Sequence, residues 1–355
     1  MRALPNEEQI DRGDVKKDGK LIQPQKDRVE KMISHETPQL SFYSQIYDRC
    51  VPQDHVYRRM QSCLDIKRLS KVVEKCYSTI GTIGYAVESA IKMLLLQFVE
   101  DVSDRQMERA MRENMAFRWF CGLSPEAETP DFTYFTKLRK RIGTKSMAEL
   151  FNSFQAMLKE QGYIGGSFTF LDASSVISKT NLWKERDTAI AQGETTLNNQ
   201  NVGKHSSDPD ATFGAKSKKK HWYGYKRHVA VDMKHGFIHK VIMTTAKTPD
   251  NNPSIVKSLC PKQGMVFADK MYDTGDVKNI LRAKGCASGI IQRNNRKAKN
   301  SDLDRWRSSV RMPFENVFAR LSKHTRYRGK LRTLFQGFAE AFAFNLKRRA
   351  QLCPI

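Results

Sequence analysis

The sequence predicts an α/β domain in which helices flank a mixed sheet, preceded by an all-α domain. Two observations support this prediction. From about residue 40 to 160, apolar residues recur at three- and four-residue steps, which is the spacing of one buried helix face. After Gly165-Gly166, short apolar runs alternate with helical segments, a pattern typical of a sheet covered by helices.

The chain is strongly basic. Its 355 residues include 61 Lys and Arg against 38 Asp and Glu, which leaves a formal net charge of +23. Such an excess attracts polyanions, and nucleic acid is the usual polyanion. An anionic membrane surface or ribosomal RNA also fits, so the charge indicates a class of partner and no activity. Apolar residues make up 39% of the chain, enough for a core.

The seven cysteines indicate a reducing compartment, because they are scattered and form no C-x-x-C pair. Free thiols of a cytoplasmic protein explain them better than disulfides or a zinc site. The N-terminus lacks the apolar segment of a signal peptide, and the apolar run from Ile91 to Val99 is too short to cross a bilayer. We therefore expect a cytoplasmic protein without membrane contact.

The chain divides into three expected parts: a flexible segment over residues 1–36, a helical domain over 37–160, and an α/β domain over 161–355. Ser103 and Gln106 form a capping-box pattern that begins one helix. Thr129-Pro130 predicts the start of another, which carries a basic face. Short helices ending in a basic one resemble a helix-turn-helix DNA-binding domain. A plain helical bundle with a solvated basic face is the alternative.

The α/β domain contains a polar, basic insertion at about residues 179–220. Around it, the predicted elements are strand 167–172, strands 224–231 and 237–245, helix 254–259, strand 265–268, helix 275–284, strand 288–292 and a helical segment over about 311–350. This order matches the ribonuclease-H-like fold, in which acids lie at the ends of the first and fourth strands and on the last helix. Asp172, Asp269 and Glu315 occupy those places.

Three carboxylates from separate elements suit phosphodiester cleavage, since Mg²⁺ prefers hard oxygen ligands. Two such ions, roughly 3.5–4 Å apart, activate the nucleophile and stabilise the leaving oxygen. Taken alone, an Asp that ends a strand is more often a turn or cap residue, and Glu315 reads as a helix-surface acid. Their common placement in this order of elements is what indicates a metal site.

The sequences around these acids resemble the IS5/IS4-superfamily insertion-sequence transposases of the DDE type. The resemblance covers about residues 40–350. Its blocks are Leu171-Asp172-Ala173-Ser174, the segment 221–232, Thr245-Ala246 with Pro249-Asp250, Ala268-Asp269-Lys270-Met271-Tyr272-Asp273, and the segment 311–321, with 101–123 and Pro130-Asp131-Phe132-Thr133 upstream.

This resemblance implies a bacterial, nucleoid-associated transposase whose 161–355 domain is catalytic, with Asp172, Asp269 and Glu315 as the catalytic acids that hold two Mg²⁺ ions, for which Mn²⁺ substitutes. It implies binding of the terminal inverted repeats in double-stranded DNA, hydrolytic cleavage of the ends, and joining of the 3′-OH ends to target DNA by a dimer or larger assembly. The sequence departs from the family's last block at Ser308, where the family has Tyr. It departs again at Ser322, where the family has Lys, while Lys323 lies one residue later.

Basic and aromatic residues near these blocks are the candidate DNA contacts. Lysines interleaved with aromatic rings suit phosphate contact and base stacking, and a solvated basic loop is the alternative. The candidates are Lys218, Lys219, Lys220, Trp222, Tyr225, Lys226, Arg293, Arg296, Lys297, Arg311 and Lys323.

Two other functions remain open at this point. One is a ribonuclease-H-like nuclease or resolvase that cuts DNA without joining it. The other is an inactive or domesticated relative that only binds DNA. The helical segment before residue 160 disfavours a minimal nuclease, and the presence of all three acids disfavours an inactive relative.

Overall fold

The computed structural model describes residues 40–77, 84–180, 182–195, 201–217, 220–297 and 299–353. The predicted flexible segment at residues 1–36 lies outside them, as do Lys218 and Lys219. Within these ranges no helix is long and apolar enough to cross a membrane.

The first part of the described chain is helical, as predicted. Its helices are α1 (Leu40–Cys50), α2 (Val56–Ser62), α3 (Ile66–Glu74), α4 (Val87–Val99), α5 (Asp104–Glu113), α6 (Met115–Cys121) and α7 (Phe132–Glu160). The capping box of Ser103 and Gln106 at the start of α5 is confirmed. The predicted cap at Thr129 is wrong. Helix α7 begins at Phe132, because the Asp131 carboxylate accepts a hydrogen bond from Tyr134 N at 2.9 Å and so caps the helix.

The second part contains the sheet. Its elements are β1 (Phe168–Ile177), α8 (Leu182–Ala191), α9 (Val202–His205), β2 (Thr212–Ser217), β3 (Lys220–Asp232), β4 (Phe237–Thr245), α10 (Pro253–Leu259), β5 (Gly264–Ala268), α11 (Gly275–Ala283), β6 (Cys286–Ile290), α12 (Ser301–Ala319) and α13 (Lys330–Gln351). The predicted hairpin is therefore present as β3 and β4. The described residues of the predicted insertion contain the two helices α8 and α9 and the strand β2.

The sheet is mixed, with the strand order β2-β3-β1-β5-β6, and β4 also pairs with β3. Strand β3 is antiparallel to β1, β2 and β4, whereas β5 is parallel to β1 and β6 is parallel to β5. Hence β1, β4 and β5 all run in the same direction. This arrangement, with helices on the sheet and a helical N-terminal region, confirms the predicted ribonuclease-H-like fold class.

Strand β1 is longer than predicted. We expected it to end at Asp172, but it continues to Ile177 because β3 pairs with it as far as Gly224. Pairing with β5 stops earlier, at Phe170 opposite Phe267. Asp172 therefore lies where β1 loses its neighbour on one side only.

The predicted helical segment 311–350 is two helices. Helix α12 begins at Ser301, ten residues before the predicted start, and its first turn is capped by the Asn300 side chain. The chain leaves the helix after Ala319, and α13 begins at Lys330 after Gly329 at φ 90°. Glu315 thus lies near the end of α12 and not at the start of a long helix.

Helix α13 packs between the sheet and the N-terminal helices. Phe342 stacks on Phe154 of α7 with ring centroids 4.5 Å apart, and Asn345 donates a hydrogen bond to the Ile238 carbonyl of β4 at 2.7 Å. One apolar core is therefore continuous through α4, α7, α13 and the sheet. The domain boundary at residues 160–161 stays a prediction.

Candidate active site

Asp172 and Asp269 lie side by side on neighbouring parallel strands. The register of β1 and β5 pairs Phe168 with Met265 and Phe170 with Phe267. Continued by two residues, this register places Asp172 opposite Asp269. Asp269 retains an extended backbone, with φ −74° and ψ 175°, so the alternation of side chains continues to it.

Both acids face helix α12. Phe170 and Phe267 each precede one of the acids by two residues, so they lie on the same face of the sheet as the acids. The Phe170 ring lies 5.9 Å from that of Phe318, and the Phe267 ring lies 6.0 Å from that of Trp306, both in α12. The helix that carries Glu315 therefore covers the strands that carry the two aspartates.

The charges of these aspartates are poorly compensated. Burial, together with the nearby charges of Asp269 and Asp250, raises the pKa of Asp172 to about 7, against the opposing effects of the Ala173 backbone N–H and the Arg311 charge. Burial also raises the pKa of Asp269 above its usual value. A divalent cation would relieve this concentration of negative charge, so the pair fits two ligands of a hard metal ion.

Glu315 does not join them in this structure. Its Oε1 lies 3.0 Å from the Arg311 guanidinium, and its side chain is 48% exposed. Among the residues described, no three His, Cys, Asp or Glu side chains are grouped closely enough to hold a metal ion. The structure thus brings together two of the three predicted acids and leaves the third paired with an arginine.

Arg311 connects the three acids electrostatically. Its charge lowers the pKa values of both Asp172 and Asp269, while its guanidinium pairs with Glu315. The side chain is mostly buried and lies over the Phe170 ring at 5.9 Å. Predicted as a DNA contact, Arg311 is here a cation within the acidic centre.

The sequence analysis did not single out Asp250 as a site residue. It follows β4, whose direction matches that of β1 and β5, and its charge acts on Asp172, Asp269 and Tyr272. Lys226 Nζ lies 2.8 Å from Asp250 Oδ1. The only signal for this residue was the Pro249-Asp250 block of the family resemblance, which names no role.

Two predicted DNA contacts of β3 are corrected by the structure. Tyr225 is fully buried, and its hydroxyl donates to Asp208 Oδ1 at 2.7 Å, so its ring cannot stack on a base. Lys226 is paired with Asp250 and donates to the Thr248 carbonyl, so its charge is already partly neutralised. Trp222, half-buried, donates from its indole nitrogen to the Tyr225 carbonyl. The side chain of Lys220 is not among those described.

The basic residues after β6 differ among themselves. Arg296 binds both carboxylate oxygens of the buried Asp273 at 2.9 and 3.0 Å, and this contact helps to hold the pKa of that carboxyl far below its usual range although burial alone would raise it. Arg293 donates to the carbonyls of Lys270 and Met271, just after Asp269. These two arginines anchor the loop beside the acids, whereas Lys297 is exposed.

Lys323 lies at the far end of β1. Its carbonyl accepts a hydrogen bond from Ile177 N at 2.8 Å, while its side chain is exposed. Ser322, which stands where the family has Lys, turns its hydroxyl to the His324 carbonyl at 2.9 Å. Of the predicted DNA contacts with described side chains, Lys297 and Lys323 are the most open to a phosphate.

Two family models match the chain. One, described as a transposase DDE domain, matches residues 191–346, which include Asp269 and Glu315 but not Asp172. The other, described as a transposase domain (DUF772), matches residues 45–141 in the helical part. Among solved structures, the chain is similar to a piggyBac transposase synaptic complex with hairpin DNA, determined by cryo-EM. The likeness is distant, with 11% identity, a TM-score of 0.40, and coverage of 87% of this chain and 75% of that chain.

Proposed function

The chain belongs to the DDE transposases, and we propose that it moves an insertion sequence of the IS5 type. In this proposal it binds the terminal inverted repeats of the element in double-stranded DNA and cleaves the ends by hydrolysis. It then joins the 3′-OH ends to target DNA. Because two DNA ends must be held together, the active form is a dimer or a larger assembly.

The observation that carries this proposal is that Asp172 and Asp269 lie opposite each other on neighbouring strands, covered by the helix that carries Glu315. Asp172 and Asp269 both lie two residues beyond the last pair of β1 and β5, so their carboxylates can share one cation. Burial and nearby carboxylate charges raise their pKa values, so they favour a cation strongly.

DDE transposases depend on divalent metal ions, and we assign Asp172, Asp269 and Glu315 as the ligands, with Mg²⁺ as the natural ion and Mn²⁺ as a substitute. When bound, such ions activate a nucleophile and stabilise the charge that develops on the leaving oxygen. Asp172 and Asp269 supply oxygens from the rigid sheet. Glu315 must leave Arg311 to add a third, which frees the guanidinium for a phosphate.

Outside the acids, the chain's role is to hold DNA. A formal charge of +23 provides long-range attraction, and the exposed side chains of Lys297 and Lys323 are candidate phosphate contacts. The helical part, residues 37–160, is proposed to read the terminal repeats. We place the protein in the bacterial cytoplasm, associated with the nucleoid.

Strand transfer tests the proposal. Oligonucleotides that carry the inverted repeats flanking the gene are incubated with the full chain in Mg²⁺. Asp172→Asn, Asp269→Asn and Glu315→Gln should each abolish cleavage and joining. DNA binding should persist in all three, since lysine and arginine make the phosphate contacts.

Three results would contradict parts of this proposal. Cleavage that survives Asp172→Asn and Asp269→Asn would refute the metal assignment. Cleavage without joining by the unaltered chain would indicate a nuclease instead of a transposase. Binding without cleavage would indicate an inactive relative.

A further inference from the structure

Three acids lie on, or shortly after, strands that run in the same direction. Strands β1, β4 and β5 run in the same direction, so their carboxyl ends point to a common edge. Asp172 lies on β1 two residues beyond its last pairing with β5, and Asp269 follows β5 directly. Asp250 follows β4 by five residues, in the turn that leads to helix α10. The topology therefore brings a third aspartate toward the pair.

Packing places helix α10 against the two strands that carry the other acids. Helix α10 buries Ile255 and Val256 in the same apolar cluster as Leu171 and Ala268. Those last two residues directly precede Asp172 and Asp269, so α10 lies on the face of the sheet opposite α12. From the turn before α10, the Asp250 charge raises the pKa values of both aspartates.

Asp250 carries an oxygen that is available for a further ligand. Its Oδ1 is buried and accepts no hydrogen bond within the described part of the chain, although Lys226 Nζ lies 2.8 Å away. The ammonium instead donates to the Thr248 carbonyl at 2.8 Å. The pair is thus a contact of opposite charges without a directed hydrogen bond.

A buried hydroxyl without a partner is an independent observation at the same place. Tyr272 is 1% exposed, and its hydroxyl has no hydrogen-bond partner among the residues that the structure describes. The charges of Asp172, Asp250 and Asp269 all act on it and raise its pKa. A buried hydroxyl without a partner is costly, and water carried by a metal ion would satisfy it.

We infer that Asp250 is a further carboxylate of the divalent-cation centre, and that Lys226 compensates its charge in the metal-free chain. This inference rests on the proposed function, since it assumes a cation held by Asp172 and Asp269. An entering cation takes over the role of the Lys226 ammonium, and Asp250 Oδ1 turns from the lysine toward the cation or its bound water. Lys226 then acts as a competitor of the metal and not as a DNA contact.

This inference predicts opposite effects for the two members of the ion pair. Asp250→Asn removes a ligand or an acceptor for metal-bound water, so Mn²⁺ should bind roughly tenfold more weakly or worse. Lys226→Met removes the competing positive charge, so Mn²⁺ should bind several-fold more tightly. If the pair only braced the turn, both substitutions would act in the same direction.

The experiment is a titration of the purified full chain with Mn²⁺ in the absence of DNA, with free Mn²⁺ measured by electron paramagnetic resonance. Thermal unfolding in EDTA checks that each variant is folded. The matched control is the exposed ion pair of Lys75 and Glu149, which joins two N-terminal helices. Lys75→Met and Glu149→Gln should leave Mn²⁺ binding unchanged.

Each outcome decides between specific alternatives. Weaker binding in Asp250→Asn with tighter binding in Lys226→Met supports the inference. Equal weakening in both, or no change in either, overturns it. If Asp172→Asn and Asp269→Asn weaken binding while Asp250→Asn does not, the inference fails and the proposed metal centre stands. If those two variants also bind Mn²⁺ normally, the proposed centre itself is wrong.

Discussion

The Arg311 guanidinium lies 3.0 Å from Oε1 of Glu315, which follows it by one turn of helix α12. The Arg311 charge also acts on Asp172 and Asp269. One cation therefore serves acids on two different elements. Its Nε is buried without a hydrogen-bond partner among the described residues, so this guanidinium is only partly satisfied. Arg311 occupies the position from which it can either neutralise the acids or bind a phosphate.

Replacing Arg311 by Gln should affect metal and DNA in opposite ways. Without the guanidinium, the aspartates repel each other more strongly, so Mn²⁺ should bind several-fold more tightly in the absence of DNA. Cleavage of end-containing oligonucleotides should slow on the order of tenfold or more, because a cation that stabilises developing charge is lost. Mn²⁺ titration and single-turnover cleavage measure the two effects.

Arg311→Lys is the matched variant for this prediction. It keeps the charge but loses the planar donor pair, so metal binding should stay close to that of the unaltered chain. Cleavage should fall between the values of the other two proteins. Unchanged cleavage in Arg311→Gln would show that this residue acts only through α12 packing.

The salt dependence of DNA binding should separate exposed lysines from paired ones. Each phosphate contact contributes close to one unit to the slope of log K against log salt. Lys297→Ala and Lys323→Ala should therefore each reduce the slope by up to about one unit, because both side chains are exposed. Lys226→Ala should leave the slope unchanged, since Lys226 pairs with Asp250. Fluorescence anisotropy of labelled duplexes in EDTA, from low to high salt, provides the measurement. A reduced slope in Lys226→Ala alone would reverse the assignment.

The sequence predicted the strands that carry or precede Asp172 and Asp269, because both strands depend on local signals. An apolar run of strand length ends near each acid, and the order of strands then defines their common edge. The predicted end of β1 at Asp172 was nevertheless wrong. Its extension to Ile177 depends on β3, which is distant in sequence and has no local signature at residue 172.

Side-chain partners were not predictable in the same way. In the sequence, Tyr225 looks like a residue that stacks on bases, because basic residues flank it. In the structure, its hydroxyl donates a hydrogen bond to Asp208 of the insertion. In the sequence, Lys226 looks like a phosphate contact. In the structure, the turn after β4 places Asp250 beside it. Periodicity specifies the face on which a residue lies, whereas the partner depends on how separate segments come together.

A buried ion pair should contribute strongly to folding. Arg227 of β3 is 1% exposed and contacts Glu340 of α13 at 2.5 Å, and Gln336 donates to the other Glu340 oxygen. Glu340→Gln leaves the guanidinium buried with its charge uncompensated, so the free energy of unfolding should fall by about 3–5 kcal/mol. Urea denaturation followed by far-UV circular dichroism measures this loss.

The double variant Arg227→Met with Glu340→Leu is the test of that reasoning. Removing both charges also removes the desolvation penalty, so it should be less destabilising than Glu340→Gln alone. A double variant whose loss equals or exceeds that of Glu340→Gln would show that the pair contributes favourable energy beyond its own desolvation. Neither residue is assigned to the metal centre, so metal binding by folded protein should not change.

His239 should make the protein less stable in acid. It lies at a register shift in the pairing of β3 with β4, and burial lowers its pKa from 6.5 to about 4, with the charges of Lys240 and Lys159 acting in the same direction. Between those two values the unfolded chain binds a proton at this residue and the folded chain does not. The free energy of unfolding therefore falls as the pH drops from about 6.5 to about 4, by up to about 3 kcal/mol. His239→Gln should remove that part of the slope, measured by urea unfolding in EDTA at intervals across this range. Parallel curves for the two proteins would mean that His239 is protonated as readily in the folded chain as in the unfolded one.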